Sequence, residues 1–160
     1  LKNQNVLIKN GIEKINNEKL AGLIKSSVYH NQKTKKLKLF VEMLKKKEKI
    51  TRGGLLETWG IGPETADSIL LYAYKMPVFV VDAYTKRIFL RIGLIGEDES
   101  YEDIQKMFMQ NLKHDYKLFN EYHALIVEHA KRYCKTKPIC EGCPITDICN
   151  HAKTYKIMNF

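Results

Sequence analysis

The chain has 160 residues, of which 44% are hydrophobic, enough for one or two small domains with a real core, and this excludes a disordered chain. Its net charge of +9 favours a polyanionic partner whose phosphates lose counterions to lysine and arginine, although a basic surface also serves plain solubility. No window is apolar for the length of a membrane span and no secretory leader opens the chain, so no membrane partner is expected and a bacterial or archaeal cytosol follows by default.

In chain order, Val6, Leu7, Ile12, Ile15, Leu20, Leu23 and Ile24 recur at helical spacing, broken by Gly11 and by Asn16-Asn17. Two short helices fit, the second capped by Asn16 or Asn17. Because Leu1 already lies in a helix-like segment, an upstream part is expected to be absent. Val28 to Gln32 reads as a turn-like link. Leu37, Phe40, Val41 and Leu44 then mark an amphipathic helix whose other face is lysine, from Lys33 through Lys49, more simply a solvated face than a DNA track.

Arg52-Gly53-Gly54 reads as a loop leading to a short helix that ends at Gly60. Gly60 and Gly62 bracket Ile61, and such a pair permits positive φ and leaves backbone N–H groups uncovered for an anion. From Glu64, the residues Ala66, Ile69, Leu70 and Ala73 fall on one face of a helix that Pro77 forbids from continuing. Val78 to Val81 is an apolar run with no evident strand partner, and Asp82 follows it at the start of another helix.

That helix carries Tyr84, Ile88 and Ile92 and closes at Gly93; the next opens at Ser100 with Asp103 three places on and buries Ile104, Met107, Phe108 and Leu112. A further helix, from about Leu118 to Tyr133, sets Tyr122, Leu125, Ile126 and His129 on one side. His123 and His129 read as packed histidines rather than ligands or bases. The fold class is all-α.

All four cysteines lie in sixteen residues, Cys134, Cys140, Cys143 and Cys149, spaced C-x5-C-x2-C-x5-C. Clustered thiols in a cytosolic setting point to metal rather than disulfides. A single C-x2-C with longer arms suits a 4Fe-4S cluster better than zinc, which stays open as the alternative. Pro138 and Pro144 stiffen the loop, and Lys131, Lys135 and Lys137 surround it with positive charge.

The glycine hairpin, the Val80-Val81-Asp82 run and the cysteine loop, in that order, resemble the endonuclease III family of DNA glycosylases in the helix-hairpin-helix superfamily. The stretch Thr58-Trp59-Gly60-Ile61-Gly62-Pro63-Glu64-Thr65-Ala66 is similar to the family's L-P-G-V-G-x-K-T-A. The resemblance implies two helical lobes with a DNA groove between them. One would span 1–77 with the hairpin motif at about 55–74, the other 78–160 with the catalytic aspartate and the loop at 134–149. The family's N-terminal helices, which contribute to the base pocket and the wedge, find no counterpart. A monomer acting on double-stranded DNA with a damaged base is implied, gripped through Gly60, Ile61, Gly62, Glu64 and Thr65.

By the same resemblance Asp82 is the essential aspartate, stabilising the charge that builds on the sugar or helping to deliver water. Taken alone it would read as a helix N-cap. Glu64 departs from the family pattern. Members that also cut the backbone carry a lysine here, and a carboxylate cannot form their imine, so base removal without strand cleavage is expected. Glu64 also serves as a first-turn acid favoured by the helix dipole. With Tyr29 to Lys33 (YHNQK) and Asp82 to Thr85 (DAYT), Glu64 resembles the branch of 3-methyladenine glycosylases, whose alkylated purines leave without strong activation. The cysteine loop departs too, with five residues between its first two cysteines where the family commonly has six. The alternatives are an endonuclease III-like protein that binds DNA or senses damage without catalysis, and a zinc-stabilised interaction protein.

Overall fold

The structure, a computed structural model, describes residues 6–46 and 49–158, with backbone alone for 155–158. The described residues are all-helical, without strands, and divide into two compact units, Leu1–Ala66 and Asp67–Phe160. No helix among them is long and apolar enough to cross a membrane.

In the first unit, α1 (Lys9–Lys14) and α2 (Asn17–Leu23) pack on the long α3 (His30–Lys46). Asn16 caps α2, its side chain accepting from Lys19 N–H at 2.8 Å. The small core is Ile12, Leu20 and Val41, with Val6, Ile15 and Leu37 against it. Helix α3 begins at His30 rather than after Gln32, because the chain turns in one step at Tyr29, which takes φ 59°. Its buried residues are Thr34, Val41 and Met43, while Phe40 and Leu44 are only half-buried. Lys33, Lys35, Lys45 and Lys46 lie on the exposed side.

The stretch Arg52-Gly53-Gly54 is helical, not a loop. Thr51 takes the N-cap position and its hydroxyl accepts from Gly54 N–H at 3.1 Å, which offsets the glycines and starts α4 (Arg52–Leu56) early. Helix α5 (Pro63–Ser68) opens on a proline, whose missing N–H costs nothing in a first turn. It runs into a π-helical turn, Ile69–Ala73, in which Tyr74 N–H reaches back to Ile69 O. The wider turn rotates the buried face: Leu70 and Leu71 are buried, while Ala73, expected inside, is exposed.

The second unit has its core in Phe79, which stacks on Phe108 at 3.9 Å between ring centres and meets Phe119 and Tyr122 edge-on. The run Val78 to Val81 is extended but pairs with no strand. Side chains of α7 (Tyr101–Asn111) satisfy its backbone instead: Gln105 Nε2 donates to Phe79 O at 2.6 Å, and Val81 N–H donates to the Tyr101 hydroxyl at 3.4 Å. Both α7 residues are tied to Asp67, fully buried, whose Oδ2 accepts from Tyr101 and from Gln105 at 2.8 Å each.

Helix α6 (Ala83–Ile92) starts at Asp82 and ends at Gly93, which is left-handed at φ 92° and sits where any Cβ would strike the Asn150 side chain at the head of α9 (Asn150–Met158). Ser100 caps α7 as expected, accepting from Asp103 N–H. Asp115 caps α8 (Tyr116–Arg132), the partner of α6. Leu125, expected on the inner side of α8, is 56% exposed, while Ile126 and Ala130 hold the buried face.

Candidate active site

Asp82 stands at the N-cap of α6, where its Oδ1 accepts from the Thr85 N–H at 2.7 Å and the Thr85 hydroxyl at 2.8 Å. The cap expected of this residue is therefore real, and it uses only one carboxylate oxygen. The other, Oδ2, faces His123 Nε2 of α8 at 3.4 Å. Burial works to raise the Asp82 carboxyl, but the nearby His123 ring and then the donations from Thr85 outweigh it and hold the group below the usual carboxylate range. An anion at neutral pH, half shielded from solvent, is thus pinned at a helix start. Next along this line is Tyr72, from the π-helical turn, whose hydroxyl lies 2.5 Å from His123 Nδ1. Burial, and then the Asp82 charge, raise the Tyr72 phenol above its ordinary value.

The hairpin belongs to the first unit. Gly60 takes φ 85°, and the Lys36 side chain lies across its Cα so closely that a Cβ would fall 2.7 Å from two of its carbons. Gly62 needs no positive φ, yet a Cβ there would meet nothing within 4 Å, so its outer side is open. Ile61 is turned inward: its side chain is buried and its N–H donates to Thr58 O at 3.0 Å. Glu64 and Thr65 are exposed in the first turn of α5, where N–H groups have no intrahelical acceptor. Trp59 is half-exposed, with Lys35 Nζ 4.3 Å from its ring centre.

Cys134, Cys140, Cys143 and Cys149 line one small cavity of about 20 Å³, none of them in a disulfide. Burial raises the Cys140 thiol, and the neighbouring Cys149, Cys143 and Cys134 push the same way against Arg91. Sulfurs that feel one another's charge could all ionise only around cationic iron or zinc, so the donor set fits a thiolate-bound metal group. Among the described residues, no three His, Cys, Asp or Glu side chains are gathered as a single ion would need. Arg91 braces the rim, its Nη1 donating to Cys134 Sγ at 3.2 Å and to Lys135 O at 2.6 Å. His129 Nε2 lies 3.7 Å from Cys143 Sγ, and His151 Nε2 is buried without a partner beside the cavity.

A family model described as HhH-GPD superfamily base excision DNA repair protein matches residues 9–114. The chain belongs to this superfamily. It is similar to MJ1434 of Methanocaldococcus jannaschii, a proposed DNA repair glycosylase, at 43% identity over 93% of this chain and 74% of the relative. Endonuclease III of Sulfolobus acidocaldarius is 36% identical over 58% of this chain, which spans only 41% of that enzyme. An endonuclease III in a non-covalent complex with DNA shares the fold at a TM-score of 0.83, with 21% identity, covering 94% of this chain and 72% of the other. The H. pylori 3-methyladenine DNA glycosylase MagIII, bound to an ethenoadenine, superposes at 0.70 with 30% identity, covering 82% and 74%. The kinship of the chain is with base excision repair glycosylases of the endonuclease III type.

Three contributors went unread in the sequence. His123 and His129, expected as packed histidines, border Asp82 and Cys143 respectively. Tyr72 carried no signal at all, since a tyrosine within an apolar helix reads as packing.

Proposed function

We propose that this protein hydrolyses the N-glycosidic bond of a damaged base in duplex DNA, an alkylated base in particular, and leaves the strand uncut. The observation that carries the reading is the Asp82 carboxylate, held anionic and half-buried by Thr85 and His123. As the base departs with the bonding electrons, positive charge builds on the sugar, and a fixed negative charge stabilises it before water adds. A base already cationic by alkylation leaves neutral and needs no proton from the protein.

Glu64 supports release without strand cleavage. A carboxylate stands at the position where strand-cutting relatives use an amine, and water remains the nucleophile. The 3-methyladenine glycosylase among the structural neighbours favours the alkylated class. Grip on DNA falls to the open side of Gly62 and the first-turn N–H groups of Glu64 and Thr65, with Gly60 and Ile61 shaping the turn and the net charge of +9 adding affinity. Cys134, Cys140, Cys143 and Cys149 would hold a 4Fe-4S cluster, which supplies a rigid cross-link for the loop rather than chemistry on the base.

The test is base release from an alkylated duplex with borohydride present. Free base with no trapped protein–DNA adduct is expected, and Glu64→Lys should gain trapping. A trapped adduct with the wild-type chain would remove the monofunctional reading. Brown protein with broad visible absorbance is expected on aerobic purification, where zinc would leave it colourless.

A further inference from the structure

The α6 end grips only one of the two carboxylate oxygens of Asp82, through the paired donations of Thr85 to Oδ1. Orientation about the Cβ–Cγ bond is then left to whatever meets Oδ2. That group is His123, reached 3.4 Å away from a different helix, and its side chain is 12% exposed where that of Asp82 is 14%. The far nitrogen of the same ring meets Tyr72 at 2.5 Å, so side chains from the π-helical turn, the α6 cap and α8 stand in a line.

The line decides which ring nitrogen carries the hydrogen. Were Tyr72 to accept from Nδ1, a neutral ring would aim its Nε2 lone pair at the Asp82 carboxylate, and two electron-rich atoms would face each other out of bulk water. With Tyr72 donating to Nδ1, the hydrogen sits on Nε2 and points at Oδ2. Tyr72 can donate, since a phenol carries its hydrogen at neutral pH and its hydroxyl lies 2.5 Å from Nδ1. At 3.4 Å the His123 contact is within ion-pair range but lacks the alignment of a hydrogen bond, and Nε2 is buried without one. Contacts of this kind commonly tighten when substrate binds.

We infer that His123 is the positioning residue for Asp82, locked by Tyr72 in the tautomer that presents Nε2–H to Oδ2 and so fixes how the carboxylate meets the sugar. This rests on the reading of Asp82 as the catalytic group. The π-helical turn acquires a purpose by it: the wider turn sets Tyr72 where its hydroxyl can reach the ring.

The experiment uses the full chain and an alkylated duplex, with single-turnover base release and DNA affinity measured separately. His123→Ala and His123→Asn should each slow release at saturating DNA by up to about 100-fold, the penalty of a misplaced catalytic group, and leave affinity unchanged. His123→Gln, whose amide nitrogen falls near the place of Nε2, should recover most of the rate. Equal rates for Asn and Gln overturn the positioning role. Nitrogen-15 NMR of the imidazole reads the tautomer without any substrate: hydrogen on Nε2 is expected in the wild type, and a mixture in Tyr72→Phe. Hydrogen on Nδ1 in the wild type overturns the lock, whether or not a substrate has been found. If Asp82→Asn releases base at the full rate, the catalytic reading of Asp82 has failed; if it is inert while His123→Ala is fully active, only the positioning role has failed.

Discussion

The hairpin and the Asp82 site are built from opposite materials. At the hairpin the main chain does the work: a left-handed Gly60, an open side at Gly62 and the N–H groups of a helix start. At Asp82 the side chains do it, with Thr85, His123 and Tyr72 converging from elements up to fifty-one residues apart. A main-chain device is fixed by local φ and ψ, so a short sequence motif specifies it. A convergent device depends on how helices pack, so its members are scattered and individually ordinary.

Variants can separate the two. The largest effect belongs to Asp82→Asn, which should slow single-turnover base release by about 100- to 10,000-fold while DNA affinity stays within twofold of wild type. Loss of affinity in step with rate would erase the contrast. Gly60→Ala should do the reverse, because a left-handed alanine costs about 1–2 kcal/mol and its Cβ must displace the Lys36 side chain. Weaker DNA binding and a lower melting temperature are expected, with the rate at saturating DNA intact.

The smallest effect concerns pH. The folded pKa of Asp82 is depressed, so the stability it contributes is fully present above its unfolded value of about 3.9 and is lost as pH falls through the folded value. Acid unfolding of Asp82→Asn should accordingly show a shallower slope below about pH 4 than wild type. An identical slope would mean that Thr85 and His123 do not hold the charge in solution.

The same contrast explains what could be read in advance. The Gly60-Ile61-Gly62 turn, the Ser100 cap and the Gly93 stop were legible because each depends on neighbours in sequence. Arg52-Gly53-Gly54 misled because glycine suggests a loop, and the Thr51 cap outweighed that preference. The π-helical turn left no trace, since Ile69-Leu70-Leu71-Tyr72-Ala73 suits an α-helix equally well, and its rotation moved Ala73 outward. His123 was invisible for another reason: periodicity tells which face of α8 it occupies but not that Asp82, forty-one residues earlier, waits opposite.

The extended run beside Asp82 has a consequence for solubility. Val78-Phe79-Val80-Val81 combines β-branched and aromatic residues without charge, the composition of segments that zip into fibrils. Here Gln105 occupies the carbonyl of Phe79, Tyr101 meets the amide of Val81, and Phe79, Val80 and Val81 are buried, so no ladder edge is offered to a second chain. Gln105→Leu or Tyr101→Phe, which frees one of these backbone groups, should therefore raise aggregation, read as light scattering on warming.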